Sequence, residues 1–139
     1  MEGRQELLAS WVGLTAVDGS VAAPGNAATI TIFDSGSREG TQQLAGQRFN
    51  KGVRWKRIIT SSVASADSGA SGVSFQASFD NGTNWDVIVT YTDTAAGAPN
   101  IHYVSVAFPR WRMRYTNSAA VLTSWRGSIV GDEYERASQ

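Results

Sequence analysis

His102 is the single imidazole in a chain of 139 residues that has no cysteine. Ser–His–Asp chemistry needs an oriented base. Thiol catalysis, cysteine-ligated zinc, iron–sulfur clusters and disulfides all need the missing sulfur. His102 stands between Ile101 and Tyr103 at the start of a strand-like run, the ordinary setting of a solvent-facing or pairing histidine. A carboxylate-pair hydrolase would need two acids about 5–9 Å apart across a cleft. Asp80, Asp86 and Asp93 do cluster in sequence, but at a turn and on a solvent face, where carboxylates are merely hydrated. The expectation is that no residue is catalytic, that no cofactor is bound and that the chain is not an enzyme.

Metal binding is judged on the same stretch. Asp80, Gly82, Asn84 and Asp86 offer oxygen ligands, or backbone near them, at alternate positions of a tight turn. Calcium takes six to eight oxygens from such loops, yet the twelve-residue frame and its closing bidentate glutamate are missing. Asp and Asn are also the default residues of turns that hydrogen-bond to themselves. No metal ligand is expected.

Charge is more informative in its arrangement than in its sum. Twelve basic and twelve acidic side chains cancel. Arg48, Lys51, Arg54, Lys56 and Arg57 nevertheless occur with no acid between Glu39 and Asp67. Arg110, Arg112 and Arg114 alternate along one strand face, where like charges lie roughly 7 Å apart and repel unless something opposite is near. The hairpin or acidic tail of the same chain, an acidic surface of another subunit, or nucleic acid could neutralise them. Overall neutrality argues against nucleic acid, whose binders are usually basic.

The elements that hold these residues read almost wholly as strands. Val73, Phe75, Ala77 and Phe79 alternate with polar residues, as do Trp85, Val87, Val89 and Tyr91, with Ile88 the exception. Keeping both apolar sets on one face needs an odd-numbered loop, and Asp80-Asn81-Gly82 suits a three-residue connection rather than a simple type I′ turn. Further runs lie at 28–33, at 53–63, at Tyr103–Phe108, at Arg110–Tyr115 and at Val121–Val130, while 61–72 reads as a loop. Trp85, Trp111 and Trp125 fall in phase with core faces. Seven or so half-buried strands point to an all-β antiparallel sandwich, jelly-roll-like, over residues 28–131. Residues 1–27 read as an extended N-terminal arm outside the main core, with a helical turn over Arg4–Trp11, and 132–139 as an acidic tail. Leu7, Leu8 and Trp11 are too apolar for a free arm and must dock, on this sandwich or on a neighbouring subunit. No apolar run approaches the ~20 residues of a membrane-spanning helix, so no membrane partner is expected.

Two motifs carry a resemblance. Ser78-Phe-Asp-Asn-Gly-Thr-Asn-Trp85-Asp is similar to the S-x-D-G-x-x-W hairpin of tailed-bacteriophage virion β-sandwich proteins, with Asn81 inserted. Arg110-Trp-Arg-Met-Arg-Tyr115-Thr-Asn117, followed by Ala119-Ala-Val-Leu-Thr-Ser-Trp125, resembles a later R-x-R-x-x-Y-T-N strand and its successor, with Ser118 where a glycine is usual. The likeness spans roughly residues 53–131, and its motifs are structural ones: a turn, a core tryptophan and a strand ladder. It implies a structural virion protein, first a capsid decoration (cement) protein on the capsid surface, made in the host cytoplasm and bound to the major capsid protein. Tail or fibre accessory proteins and carbohydrate-binding modules of related fold are the alternatives. On that reading Leu7, Leu8 and Trp11 form an apolar clasp, and Lys51, Arg54, Arg57, Arg110, Arg112 and Arg114 supply charged complementarity. A homo-oligomer is expected, and a trimer would fit, because decoration proteins often sit at three-fold positions.

Overall fold

The structure, a computed structural model, describes residues 5–14, 22–36 and 55–133. They form eight strands, β1 (Gln5–Val12), β2 (Thr29–Asp34), β3 (Trp55–Ala64), β4 (Ser68–Ser78), β5 (Asp86–Tyr91), β6 (Asn100–Ser105), β7 (Arg110–Asn117) and β8 (Trp125–Glu133). None of the described residues is helical. One sheet has the order β1-β8-β3-β6 and the other β2-β7-β4-β5, all pairs antiparallel. We call them sheets A and B. First pairs with last, second with seventh, third with sixth and fourth with fifth. The chain is thus one long hairpin, folded at β4–β5 and wrapped into two layers, which is the jelly-roll arrangement.

Alternation along each strand supplies the core between the layers. Sheet B contributes Ile32, Phe33, Val73, Phe75, Trp111, Met113 and Tyr115; sheet A contributes Leu8, Trp11, Ile58, Val104, Trp125 and Ile129. Trp125 lies edge-on to Tyr115, with centroids 4.9 Å apart, and Trp11 packs beside Trp125 at 5.7 Å. These aromatic contacts tie the first strand to the last and the last to the opposite sheet.

β1 overturns the expected arm and helical turn. A register shift between Leu7 and Ala9 lets Leu8 and Ala9 both turn inward, with Trp11 after them. Bulging places two neighbours on one face, so Leu7, Leu8 and Trp11, whose spacing suggested a helical turn, divide between an outward Leu7 and an inward Leu8 and Trp11. Leu8 is 4% exposed and Trp11 2%, so both belong to the core and neither can clasp a neighbour. At the other end, the expected tail begins inside β8, and residues 134–139 lie outside the described residues.

Other boundaries move for similar reasons. The loop expected over 61–72 shrinks to residues 65–67, because β3 runs to Ala64 and β4 starts at Ser68. Its inward positions are Ile58, Thr60, Ser62 and Ala64, so the small polar residues line the core and Ile59 faces out. The last strand starts at Trp125, leaving Val121 69% exposed.

Candidate functional site

The outer face of sheet B gathers the arginines of β7. Arg112 lies between Asp34 of β2 and Gln76 of β4, and Arg114 between Thr31 and Ser74. Because Trp111, Met113 and Tyr115 alternate inward, the three guanidiniums must point outward on one strip. Arg110 grips Asp34 with two bonds, Nε to Oδ1 at 2.8 Å and Nη2 to Oδ2 at 2.7 Å, and donates a third to the Asn81 carbonyl at 2.9 Å. The hydrogen bonds to Asp34 raise its pKa further. Arg112 donates from Nε to Gln76 Oε1 at 2.7 Å and lies 4.1 Å over the Trp85 ring. Burial, then the charge of Arg114, lowers its pKa from the usual value. Arg114 has a buried Nε with no hydrogen-bond partner. Among the described residues, the strip carries three cations, Arg110, Arg112 and Arg114, and one carboxylate, Asp34.

Trp85 is therefore misplaced by periodicity. It sits half-buried beneath Arg112, with Arg110 also 5.4 Å from its ring, rather than inside the sandwich. The cause is a bulge. Phe75 pairs with Val89, but Gln76 pairs with Val87 and Ala77 with Asp86, so Ile88 is the extra residue and everything nearer the turn changes face. Val87 is accordingly 60% exposed. The turn differs as well. Asn81 (φ 56°) and Gly82 (φ 90°) form the centre of a type I′ turn closed by Thr83 N–H to the Asp80 carbonyl at 3.3 Å. It sits inside a longer loop, residues 79–85, that replaces the three-residue connection. The break in alternation at Ile88 was the signal for this.

Asp80 is a loop staple. Its Oδ1 accepts from Asn84 N–H at 2.8 Å and from Ser78 Oγ at 2.9 Å, and its Oδ2 from Asn84 Nδ2 at 2.6 Å. The Asn84 backbone bond is the main reason its carboxyl lies below the ordinary range. Both oxygens are committed to the turn. Among the described residues no group of three or more His, Asp or Glu could hold a metal ion.

His102 has a partner that sequence reading placed wrongly. Asp93, expected on a solvent face, is 3% exposed, and its Oδ1 lies 2.7 Å from His102 Nε2. Its Oδ2 accepts from Ser62 Oγ at 2.9 Å, and its backbone N–H donates to Ser68 Oγ at 2.9 Å. Tyr91 stacks on the imidazole, with centroids 4.0 Å apart. The carboxylate is central here, with the serine hydroxyl donating to it. A nucleophile relay would have the imidazole between serine and acid. The network joins β3, β4 and β6 to the connection after β5. No sequence signal distinguishes Asp93 from its exposed neighbours.

Of the remaining expected interface residues, Lys51 and Arg54 lie outside the described residues. Arg57 is exposed on sheet A, bound to Asp132 at 2.8 Å and 5.8 Å from the Tyr103 ring centroid. Leu7, 39% exposed, is on the same sheet. The structure brings Arg110, Arg112 and Arg114 together and puts Leu7 and Arg57 on the opposite side.

No protein-family model matches the sequence, and no curated protein matches it. Among solved structures, the fold is similar to that of the PBSX exported protein XepA, with a TM-score of 0.61 at 14% identity. The match covers 96% of this chain and 38% of that one. At such identity the likeness is one of fold alone.

Proposed function

We propose that this chain is a structural protein of a tailed phage, and that it decorates the capsid by binding the major capsid protein through the outer face of sheet B. The observation that carries the reading is the arginine strip: three guanidiniums on a flat sheet face, held in place by Asp34, Gln76 and Trp85, with Arg114 lacking a partner at Nε. Such a strip suits an acidic protein surface, because fixed charges steer and orient docking. The fold shared with a PBSX protein and the two phage-like motifs support the virion setting. A ligand that binds only the assembled shell stabilises it by mass action. No enzymatic step enters this role. A sugar platform is less well served, because Arg112 covers a face of Trp85.

Co-sedimentation with expanded empty phage shells tests the proposal. Wild-type chain should pellet with shells, and the double variant Arg112→Glu, Arg114→Glu should stay in the supernatant while keeping its circular dichroism. Binding to isolated tails but not shells would move the chain to the tail. A glycan-array signal lost on changing Trp85 to alanine would favour carbohydrate recognition instead.

A further inference from the structure

The outer face of sheet A has a different character, and it carries a second, independent surface. Register aligns Leu7 with Val130, Val130 with Ile59 and Ile59 with Tyr103, an apolar row that crosses all four strands. Leu7 is 39% exposed and Tyr103 61%. Beside it, Ser10, Ser128, Ser61 and Ile101 form a second row, small and uncharged, with Ile101 53% exposed. On the other side the row is Gln5, Asp132, Arg57 and Ser105, whose only charges are the Arg57–Asp132 pair on the two central strands. Isolated exposed apolar residues are common, but a contiguous row on a flat face marks an interaction site.

We infer that this face pairs with a second copy of the chain about a two-fold axis running along the strands, midway between β8 and β3. The strand order β1-β8-β3-β6 makes the face complementary to itself under that rotation. β8 then meets β3 of the partner subunit, and β1 meets its β6. Val130 falls on Ile59 of the partner subunit, Leu7 on Tyr103 of the partner subunit, and Ser128 on Ser61 of the partner subunit. Asp132 comes opposite Arg57 of the partner subunit, and Arg57 opposite Asp132 of the partner subunit. Each contact therefore occurs twice, as an isologous interface requires, and the Arg57 and Asp132 charges attract both times. Arg126, in the row beyond the serines with Val12 and Val63, is exposed and lies outside these matched rows. A two-fold along the cross-strand direction would set the charged row against the serine row, leaving the charges unmatched. The small twist between packed sheets, about 30°, is compatible with this pairing. This pairing is independent of what the arginine strip binds.

Charge reversal separates a contact between copies from one within a chain. Arg57→Asp leaves two acids at the paired positions, and Asp132→Arg leaves two bases. Either variant alone should sediment as a monomer, with dimerisation weakened on the order of tenfold or more. Mixed one to one, they should form a heterodimer, because each acid then meets a base across the axis. Wild type should sediment at twice the 14.9 kDa chain mass. Circular dichroism of each variant reports that it is folded, and Tyr103→Asp at an exposed edge position gives a second route to the monomer. A wild type that stays monomeric at high micromolar concentration, a trimer, or a mixture that fails to pair would overturn the inference.

Discussion

Gly127 and Trp11 form a lock that decides whether the first strand belongs to the core. Trp11 pairs with Gly127 across the β1–β8 ladder. A methyl group added at Gly127 would fall within the Trp11 indole and against the Ser61 carbonyl oxygen. The glycine is thus required by close approach, not by backbone angle. Gly127→Ala overpacks a rigid site, which typically costs about 1–3 kcal/mol. Trp11→Ala empties a fully buried indole position and should cost about 3–5 kcal/mol. For a chain of this size that is a fall in Tm of roughly 10–20 °C. The double variant is the sharper test. Removing the ring relieves its share of the clash while the Ser61 share persists, so the double variant should cost less than the sum of the two single variants, by about 1 kcal/mol or more. Urea unfolding followed by circular dichroism measures all four corners of the cycle. Additivity within about 0.3–0.5 kcal/mol, or a Trp11→Ala variant as stable as wild type, would show that β1 does not pack as described.

Three further outcomes follow from the sites. Arg110→Lys should lose about 1–2 kcal/mol, since lysine cannot reproduce the two-point grip on the partly buried Asp34; a lysine variant equal to wild type in urea would refute the bidentate geometry. Asp93→Asn should cost about 2–3 kcal/mol, because the buried carboxylate serves Ser62 and His102 at once; a loss below about 0.5 kcal/mol would mean the network does not form. Tyr115 is pushed up to about 12 by burial, then by the charges of Asp93 and Asp67. Between pH 10 and 12 the unfolded chain ionises this phenol while the folded chain keeps it neutral. Stability from this group is complete below pH 10 and falls by about 2.5 kcal/mol as pH rises to 12, and Tyr115→Phe should flatten that part of the profile.

Where strands alternate without interruption, sequence and structure agree. β7 is the clearest case, with Trp111, Met113 and Tyr115 inside and the arginines outside. Bulges explain most departures. At Leu8, Ile32 and Ile88 one extra residue slips the period, and a pattern that counts every second residue then follows the wrong face. That slip hid Trp85 on the outer surface and put Leu8 and Trp11 on one face of β1. β3 failed for a different reason: its core face carries the polar Thr60 and Ser62, and the Ser62 hydroxyl is satisfied by Asp93, thirty-one residues further on. Long-range polar pairing leaves no local mark. The arginine strip was legible as a face, but its anchors on β2 and β4 needed the fold.

The two proposed surfaces have a joint geometric consequence, since they lie on opposite sides of one sandwich. Pairing through sheet A stacks four sheets at spacings of ~10 Å, which places the two arginine strips back to back, ~30 Å apart and facing opposite ways. A dimer of that shape cannot lay both strips on one flat shell; it can only join two surfaces. If both surfaces act, saturating wild-type protein should therefore crosslink shells and raise turbidity. Arg57→Asp, which keeps the strip and loses the pairing, should coat the same shells without crosslinking them. Equal turbidity for the two proteins would mean that the surface meeting the shell and the surface meeting another copy are not separate, and that the division of labour between the sheets is wrong.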